Sequence, residues 1–293
     1  MEFTFGIITD GTNDNFINQI IQSIYNNNIE NYEIIIIGNS NISQNDKIKV
    51  IPFNENIKKA WITKKKNIIA ENAKFENIVL LHDYFILEND WYSGFIKWGN
   101  NFDICVNRIK NFDGTRYIDY TIARDIMNNM PNYNNSCLLP YDFENNEISN
   151  EFIYISGAYY VIKKNIALKY KLNENLIWGQ GEDYELALRL HEAKIIYKCN
   201  PFSTVKLLKY KGLPDSFNKE LPMEMALKLK EGVFKRDASS IIQLIKDHIN
   251  SNIQNMTTKE NFTQFCSIYN DYIIIILLGL TIILVIYIYC SKC

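Results

Sequence analysis

The sequence predicts an α/β domain, a mostly parallel sheet flanked by helices, followed by a helical stem and one C-terminal membrane-spanning helix. Three observations carry this expectation. An apolar run at residues 3–9 (FTFGIIT), a helical pattern at 16–25 and a second apolar run at 32–37 (YEIIII) form a strand–helix–strand unit, the mark of parallel pairing. The rhythm returns with a helical pattern at 60–73 and a strand at 77–81 (NIVLL). Residues 272–289 (YIIIILLGLTIILVIYIY) carry no charge. As a helix they span about 27 Å, against a hydrocarbon core of roughly 30 Å.

Each element has its own signal. The first strand stops at the turn-forming run Asp10-Gly11-Thr12-Asn13-Asp14-Asn15, and Ile17, Ile20, Ile21 and Ile24 then recur on one helical face. The second strand stops at Gly38-Asn39-Ser40, and residues 47–53 (KIKVIPF) form a third, weaker strand. The helix at 60–73 has a basic shoulder at Lys64, Lys65 and Lys66, and the NIVLL strand ends at His82-Asp83-Tyr84-Phe85. Residues 90–98 read as helix, 102–106 as strand, and 108–142 as a long irregular stretch containing Asp113-Gly114-Thr115-Arg116-Tyr117. Residues 152–162 (FIYISGAYYVI) read as two strands broken at Ser156-Gly157, 195–199 as a further strand, and 200–213 as a lysine-rich loop or strand. From Pro222 the pattern is helical and amphipathic as far as Ile249, with a polar spacer through Asn261. The expected domains are 1–215 (α/β), 216–271 (helical extension and stem), 272–289 (transmembrane helix, a tail anchor) and 290–293 (tail).

Composition excludes some classes. Lys+Arg number 31 against Asp+Glu 33, a net charge of −2, so no basic field argues for a nucleic-acid partner. Cys105, Cys137 and Cys199 are widely spaced and form no disulfide framework, which suits a reducing compartment. The acidic start Met1-Glu2 runs straight into a strand rather than a signal peptide. The expected localisation is therefore a membrane, through a single-pass C-terminal anchor, with the folded part facing the cytosol.

The stretch Trp178-Gly179-Gln180-Gly181-Glu182-Asp183 concentrates the chemistry. Two glycines free the backbone, a tryptophan offers a flat apolar face, and two carboxylates open the helix that Leu186 and Leu190 anchor. Acidic residues at a helix start are ordinary caps. The tryptophan and glycines ahead of them are what a sugar site with a general base requires. Thr9-Asp10, Asn39 and His82-Asp83 all lie at carboxyl ends of strands, where ligands gather in open α/β sheets.

Taken in order, Ile7-Ile8-Thr9-Asp10-Gly11, Ile36-Ile37-Gly38-Asn39, Lys66-Asn67, Leu80-Leu81-His82-Asp83-Tyr84, Ser156-Gly157-Ala158 and Trp178 to Asp183 resemble the GT-A glycosyltransferases of the family-2-like group. The likeness covers roughly residues 3–212, and its last motif is similar to the Trp-Gly…Gly-Glu-Asp loop of β-1,4-galactosyltransferases. The resemblance implies a GT-A (Rossmann-like) fold and inverting transfer from a nucleotide-sugar donor, a UDP-sugar foremost, to a glycan, protein or lipid acceptor. It places Thr9, Asp10, Asn39, Lys66 and Asp83 at the donor, and Gly157, Trp178, Gly179 and Arg116 at sugar and acceptor. Asp183 is the implied base with Glu182 beside it, and Asp83 the implied ligand of a divalent cation, manganese or magnesium. Two departures stand out. The family's Asp-x-Asp is reduced to His82-Asp83-Tyr84, and no histidine replaces the downstream metal ligand, where Lys206 and Lys209 stand instead and offer a cationic leaving-group site. Acceptor choice falls to residues 113–117 and to the region after 213.

Other classes fit less well. Thr9-Asp10-Gly11-Thr12 is a poor glycine-rich dinucleotide turn, which argues against a methyltransferase or oxidoreductase. Adjacent Glu182 and Asp183 are a poor pair for a glycosidase, whose carboxylates lie roughly 5–9.5 Å apart across one sugar. The alternative from another class is a catalytically degenerate, membrane-tethered protein that binds nucleotide sugars or glycans.

Overall fold

The centre of the fold is β1 (Phe3–Ile8), six residues buried on both faces. It is followed by α1 (Asp14–Asn26), β2 (Tyr32–Ile37), β3 (Ile48–Ile51), α2 (Ile62–Asn72) and β4 (Asn77–His82). The computed structural model describes residues 1–122, 137–211 and 220–232, all within one compact unit, Met1–Ile245. β1 pairs in parallel with β2 and β4, and β2 with β3, so four adjacent strands run one way. Near-continuous apolar runs are what parallel strands covered on both faces require. α1 buries Ile17, Ile20, Ile21 and Ile24 on one stripe. α2 lies against β1 so closely that a Cβ on Gly6 would sit 2.3 Å from an Ile69 methyl carbon.

The second half adds β5 (Phe85–Leu87), α3 (Trp91–Trp98), β6 (Ile104–Lys110), β7 (Tyr120–Ile122), β8 (Cys137–Leu138), α4 (Glu147–Asn150), β9 (Ile153–Ile155), β10 (Tyr159–Lys163), α5 (Lys164–Lys169), α6 (Glu182–Glu192), β11 (Tyr197–Leu207) and α7 (Met223–Lys230). The main sheet has eight strands in the order β3-β2-β1-β4-β10-β6-β11-β5, and β8-β7-β9 form a small antiparallel sheet. β10 runs antiparallel to both neighbours, β4 and β6, and β5 antiparallel to β11. The sheet is thus parallel except at β10 and β5. An aromatic core holds α3 on the sheet: Trp91 packs 4.9 Å from Phe3 and 4.7 Å from Phe95, ring centre to ring centre, and donates its indole N–H to Tyr159.

Several expectations shift in the structure. The pair broken at Ser156-Gly157 is two strands of different sheets, β9 and β10, rather than one ribbon. Of the two readings open for residues 200–213, loop or strand, the strand holds as far as Leu207: β11 continues through an irregularity between Asn200 and Thr204 and stays paired with β6. The stretch at 108–142 carries β7 and β8 among its described residues. Two of the three lysines in the basic shoulder of α2 face inward, Lys65 and Lys66 being 3% and 1% exposed.

The C-terminal expectation is corrected. Among the described residues no helix is long and apolar enough to cross a membrane. The longest of them, α1, has 13 residues, about 20 Å at 1.5 Å each, and is polar on its outer face. The transmembrane helix and tail anchor expected at 272–289, and the localisation drawn from them, are therefore withdrawn. Those residues, the helical pattern at 241–249, the spacer through 261 and the tail at 290–293 all lie outside the described residues. Of the helical extension, α7 is described.

Candidate active site

β1 and β4 are parallel neighbours in register, Ile8 opposite His82, so their carboxyl ends deliver Thr9-Asp10 and Asp83 to one place. The Thr9 hydroxyl donates to Asp83 Oδ2 at 2.7 Å and the Asn13 side-chain amide to the same oxygen at 3.0 Å. Asp10 is exposed and accepts from the Thr12 hydroxyl (2.6 Å) and backbone amide (3.0 Å). The Thr12 hydroxyl bond is the largest cause holding its carboxyl below the usual range. A cavity of about 530 Å³ opens over these strand ends, lined by Thr9, Asp10, Asp83, Lys65, Lys209 and Lys211 among others.

A second cavity of about 210 Å³ adjoins it, lined by Tyr154, Ser156, Trp178, Gly179, Glu182 and Asp183. The two share His82, Tyr84, Trp178 and Lys211, so these four side chains form the seam between them. Trp178, 63% exposed, stands at the seam as a free aromatic face. The loop that carries it turns through two left-handed glycines, Gly179 at φ +81° and Gly181 at φ +73°. That conformation is costly for any residue with a Cβ. Gly181 is the residue before α6, so the turn aims the first helical residues, Glu182 and Asp183, into the cavity.

Asp183 is held on several sides. Its Oδ2 accepts from the Tyr154 hydroxyl at 2.5 Å and the Gly157 amide at 2.8 Å, and its Oδ1 from the Tyr184 amide at 3.0 Å. Tyr154 and Tyr184 stack at 4.1 Å with rings 22° apart, fixing the donor. A Cβ on Gly157 would lie 2.9 Å from Asp183 Oδ2, so the approach needs glycine there. Behind them Lys66 donates to the Gly157 carbonyl at 2.6 Å. Burial pulls the Lys66 ammonium down, while Glu182 and Asp183 oppose that shift. Glu182 is 5% exposed, and its carboxyl is pushed up to about 7, first by burial and then by Asp183, with Lys66 opposing. One carboxylate held by donors beside one near neutrality is an arrangement able to take a proton at physiological pH.

Of the residues singled out in the sequence, the structure brings Thr9, Asp10 and Asp83 to the strand-end cavity, with Lys209. Trp178, Gly179, Glu182 and Asp183 line the adjoining one. Gly157 and Lys66 stand directly behind Asp183 rather than in a cavity wall. Three residues lie elsewhere. Asn39 follows β2, exposed and outside both linings. Arg116 lines a different cavity, and its guanidinium is engaged by Asp119, Glu220 and the Leu139 carbonyl. Lys206 sits on β11 with its ammonium over the Phe112 ring.

Sequence reasoning missed Tyr154 and Lys211, and it named Lys65 only within the basic shoulder of α2. Lys65 donates to the Thr9 carbonyl at 2.6 Å and pairs with Glu55. Lys211 donates to the Tyr84 hydroxyl. The signal for Lys211 was present: Lys209 and Lys211 are two apart just past a strand, a spacing that lets both face one side.

The donor set at Asp83 is a poor fit for a divalent cation. Hard cations take several oxygen ligands. Asp83 brings one carboxylate, one oxygen of which already accepts two hydrogen bonds. Among the described residues no group of three His, Cys, Asp or Glu is placed to hold a metal. The neighbouring His82 is kept neutral, first by burial and then by Lys66, Lys211, Lys65 and Lys209. A cation at Asp83 would meet the repulsion of those same lysines.

No family model and no curated protein sequence matches the chain. Likenesses exist among solved structures. The crystal structure of GalNAc-T7 with UDP, GalNAc and Mn2+ is 14% identical at a TM-score of 0.46, covering 85% of this chain and 54% of that one. S. aureus TarS 1-349 is 11% identical at 0.42, covering 89% and 75%. Its complex with UDP is 10% identical at 0.44, covering 88% and 74%. The chain spans about half the length of the GalNAc-T7 structure. At these values the likenesses carry no weight for function, which rests on the site's own geometry.

Proposed function

We propose that the chain is a GT-A-type glycosyltransferase that moves a sugar from a nucleotide-sugar donor to an acceptor hydroxyl with inversion. One observation carries the reading: two adjoining cavities meet at a seam, one over strand ends and one walled by Trp178, Glu182 and Asp183. In-line displacement needs this division, because the acceptor attacks the anomeric carbon from the face opposite the leaving diphosphate. The donor occupies the strand-end cavity at Thr9, Asp10 and Asp83. The acceptor sugar stacks on Trp178.

Asp183 takes the acceptor proton through Oδ1, whose one hydrogen bond leaves a lone pair free, while Oδ2 is held by Tyr154 and Gly157. The new bond joins acceptor oxygen to anomeric carbon, and the bond to the diphosphate breaks with its electron pair. Glu182, with its raised pKa, keeps a proton available to hydrogen-bond sugar hydroxyls.

The deciding experiment incubates the full chain with UDP-sugars and small glycoside acceptors and follows UDP release, alongside Asp183→Asn. The expected result is release in the wild type and its loss in the variant with donor affinity kept. Donor binding without turnover under any condition would replace this reading with that of a binding protein.

A further inference from the structure

We propose that Lys209 and Lys211 form the diphosphate subsite of this chain and neutralise the leaving group where a strand-end carboxylate would otherwise recruit a divalent cation. The proposal rests on the glycosyltransferase reading and specifies its chemistry.

Both lysines follow β11 and converge on one ring: their ammonium groups lie 4.6 and 4.1 Å from the centre of Tyr84. Both line the strand-end cavity beside Asp83, and Lys211 also lines the acceptor cavity, which puts it at the seam where the sugar–phosphate bond must break. Two ammonium groups over one ring repel each other. Among the described residues neither is in an ion pair with a carboxylate, whereas Lys65 in the same cavity is neutralised by Glu55. Such a pair calls for a polyvalent anion. A diphosphate offers oxygens to both, and charge-assisted bonds to phosphate are the strong ones. Burial and Lys209 already strain the charged form of Lys211, and an anion relieves that strain.

The step balances without a metal. The anomeric C–O bond to the diphosphate breaks and its electron pair moves onto the phosphate oxygen. Lys209 and Lys211 donate hydrogen bonds to the oxygens on which charge accumulates and keep their protons.

The test is calorimetric titration of the full chain with UDP, UMP and inorganic pyrophosphate, in EDTA and then in manganese. UDP is expected to bind in EDTA, with manganese changing its affinity less than about threefold. The double variant Lys209→Ala, Lys211→Ala is expected to weaken UDP by about a hundredfold and UMP by far less, given the worth of charged hydrogen bonds. Lys209→Ala alone, at an exposed position, keeps the measurement available should the Lys211 change disturb folding. UDP binding that requires manganese, or that survives both substitutions, overturns the lysine site. Failure of the parent reading looks different: UDP then binds no more tightly than pyrophosphate, both still needing the lysines, and nucleotide recognition falls while the anion site stands.

Discussion

Lys66 and Asp183 grip the same residue from its two ends. The lysine donates to the Gly157 carbonyl at 2.6 Å, and the aspartate accepts from the Gly157 amide at 2.8 Å. The turn between β9 and β10 is thereby tied to α2 on one side and to the start of α6 on the other. The position of Asp183 is thus set by tertiary contacts outside its own helix.

Gly157→Ala is the sharpest probe of this tie. The added methyl would sit 2.9 Å from Asp183 Oδ2 and 3.0 Å from its Cβ, so the Asp183 side chain must shift and strain the bonds that Tyr154 and Gly157 donate to it. Overpacking of this kind costs about 1–3 kcal/mol. Thermal and urea unfolding should show the loss, with a fall in turnover larger than any change in UDP affinity. Wild-type turnover in the alanine variant would mean that the Gly157–Asp183 approach does not hold the base.

Replacing Asp183, the base we propose, separates chemistry from binding. Asp183→Asn keeps an oxygen to accept from Tyr154 or Gly157 but cannot take a proton. A general base contributes typically ~10²–10⁴ in rate. Transfer should fall in that range, while donor affinity by titration stays within about threefold. Tyr154→Phe, which deletes one bond to Oδ2, should give an intermediate loss, consistent with a positioning role.

Trp178 supplies surface rather than polarity. At 63% exposure it has little packing to lose, so Trp178→Ala should leave unfolding nearly unchanged. The acceptor KM should rise about tenfold, because stacking on an aromatic face is worth on the order of 1 kcal/mol or more. Equal loss with donor and acceptor would mean that Trp178 serves both cavities at the seam and is not the acceptor platform.

The parallel half of the fold was open to reading from the sequence because buried parallel strands are apolar along their whole length. Residues 32–37 read and fold as the same strand, β2. β10 and β5 were not, since direction is set by long-range pairing that short apolar runs do not encode. The Trp178–Asp183 loop and the helix start behind it were legible because two glycines and two acids are locally unusual. Arg116 and Lys206 misled for the opposite reason: a charge in sequence does not reveal its partner. Arg116 is taken up by Asp119 and Glu220, from three and 104 residues away. The inward face of α2 was hidden because Lys65 and Lys66 are buried only by partners distant in sequence, Thr9 and Gly157.

Glu182 sets a pH dependence of stability. Its carboxyl moves from an ordinary value of 4.5 to about 7, mainly by burial. The folded chain therefore holds this proton more tightly than the unfolded one. The stability it contributes is complete below pH 4.5 and is lost as pH rises through 7. Glu182→Gln removes that slope. Urea unfolding at pH 5 and pH 8 should show the wild type losing more stability than the variant over this interval. Other shifted groups, such as His82 and Asp10, cancel in the comparison. Parallel pH profiles would mean that Glu182 is solvated as an ordinary carboxylate.

Lys211 makes ligand binding proton-linked. Burial first, then Lys209, lowers its ammonium to about 8, and Asp83 opposes them. Its other close neighbour is the Tyr84 hydroxyl, held protonated by burial. For this lysine the folded chain holds its proton less tightly than the unfolded one, so its contribution to stability improves as pH rises from 8 towards 10.5. At pH 8 the free protein carries this group only partly charged. A diphosphate beside it favours the ammonium, so binding must draw a proton from the buffer. UDP titrations at pH 8, where the diphosphate is itself fully ionised, should therefore give different heats in buffers of different ionisation enthalpy. The difference should vanish in Lys211→Met. Buffer-independent heats in the wild type at pH 8 would show that the diphosphate does not reach Lys211, and would return the leaving group to Asp83 and a metal.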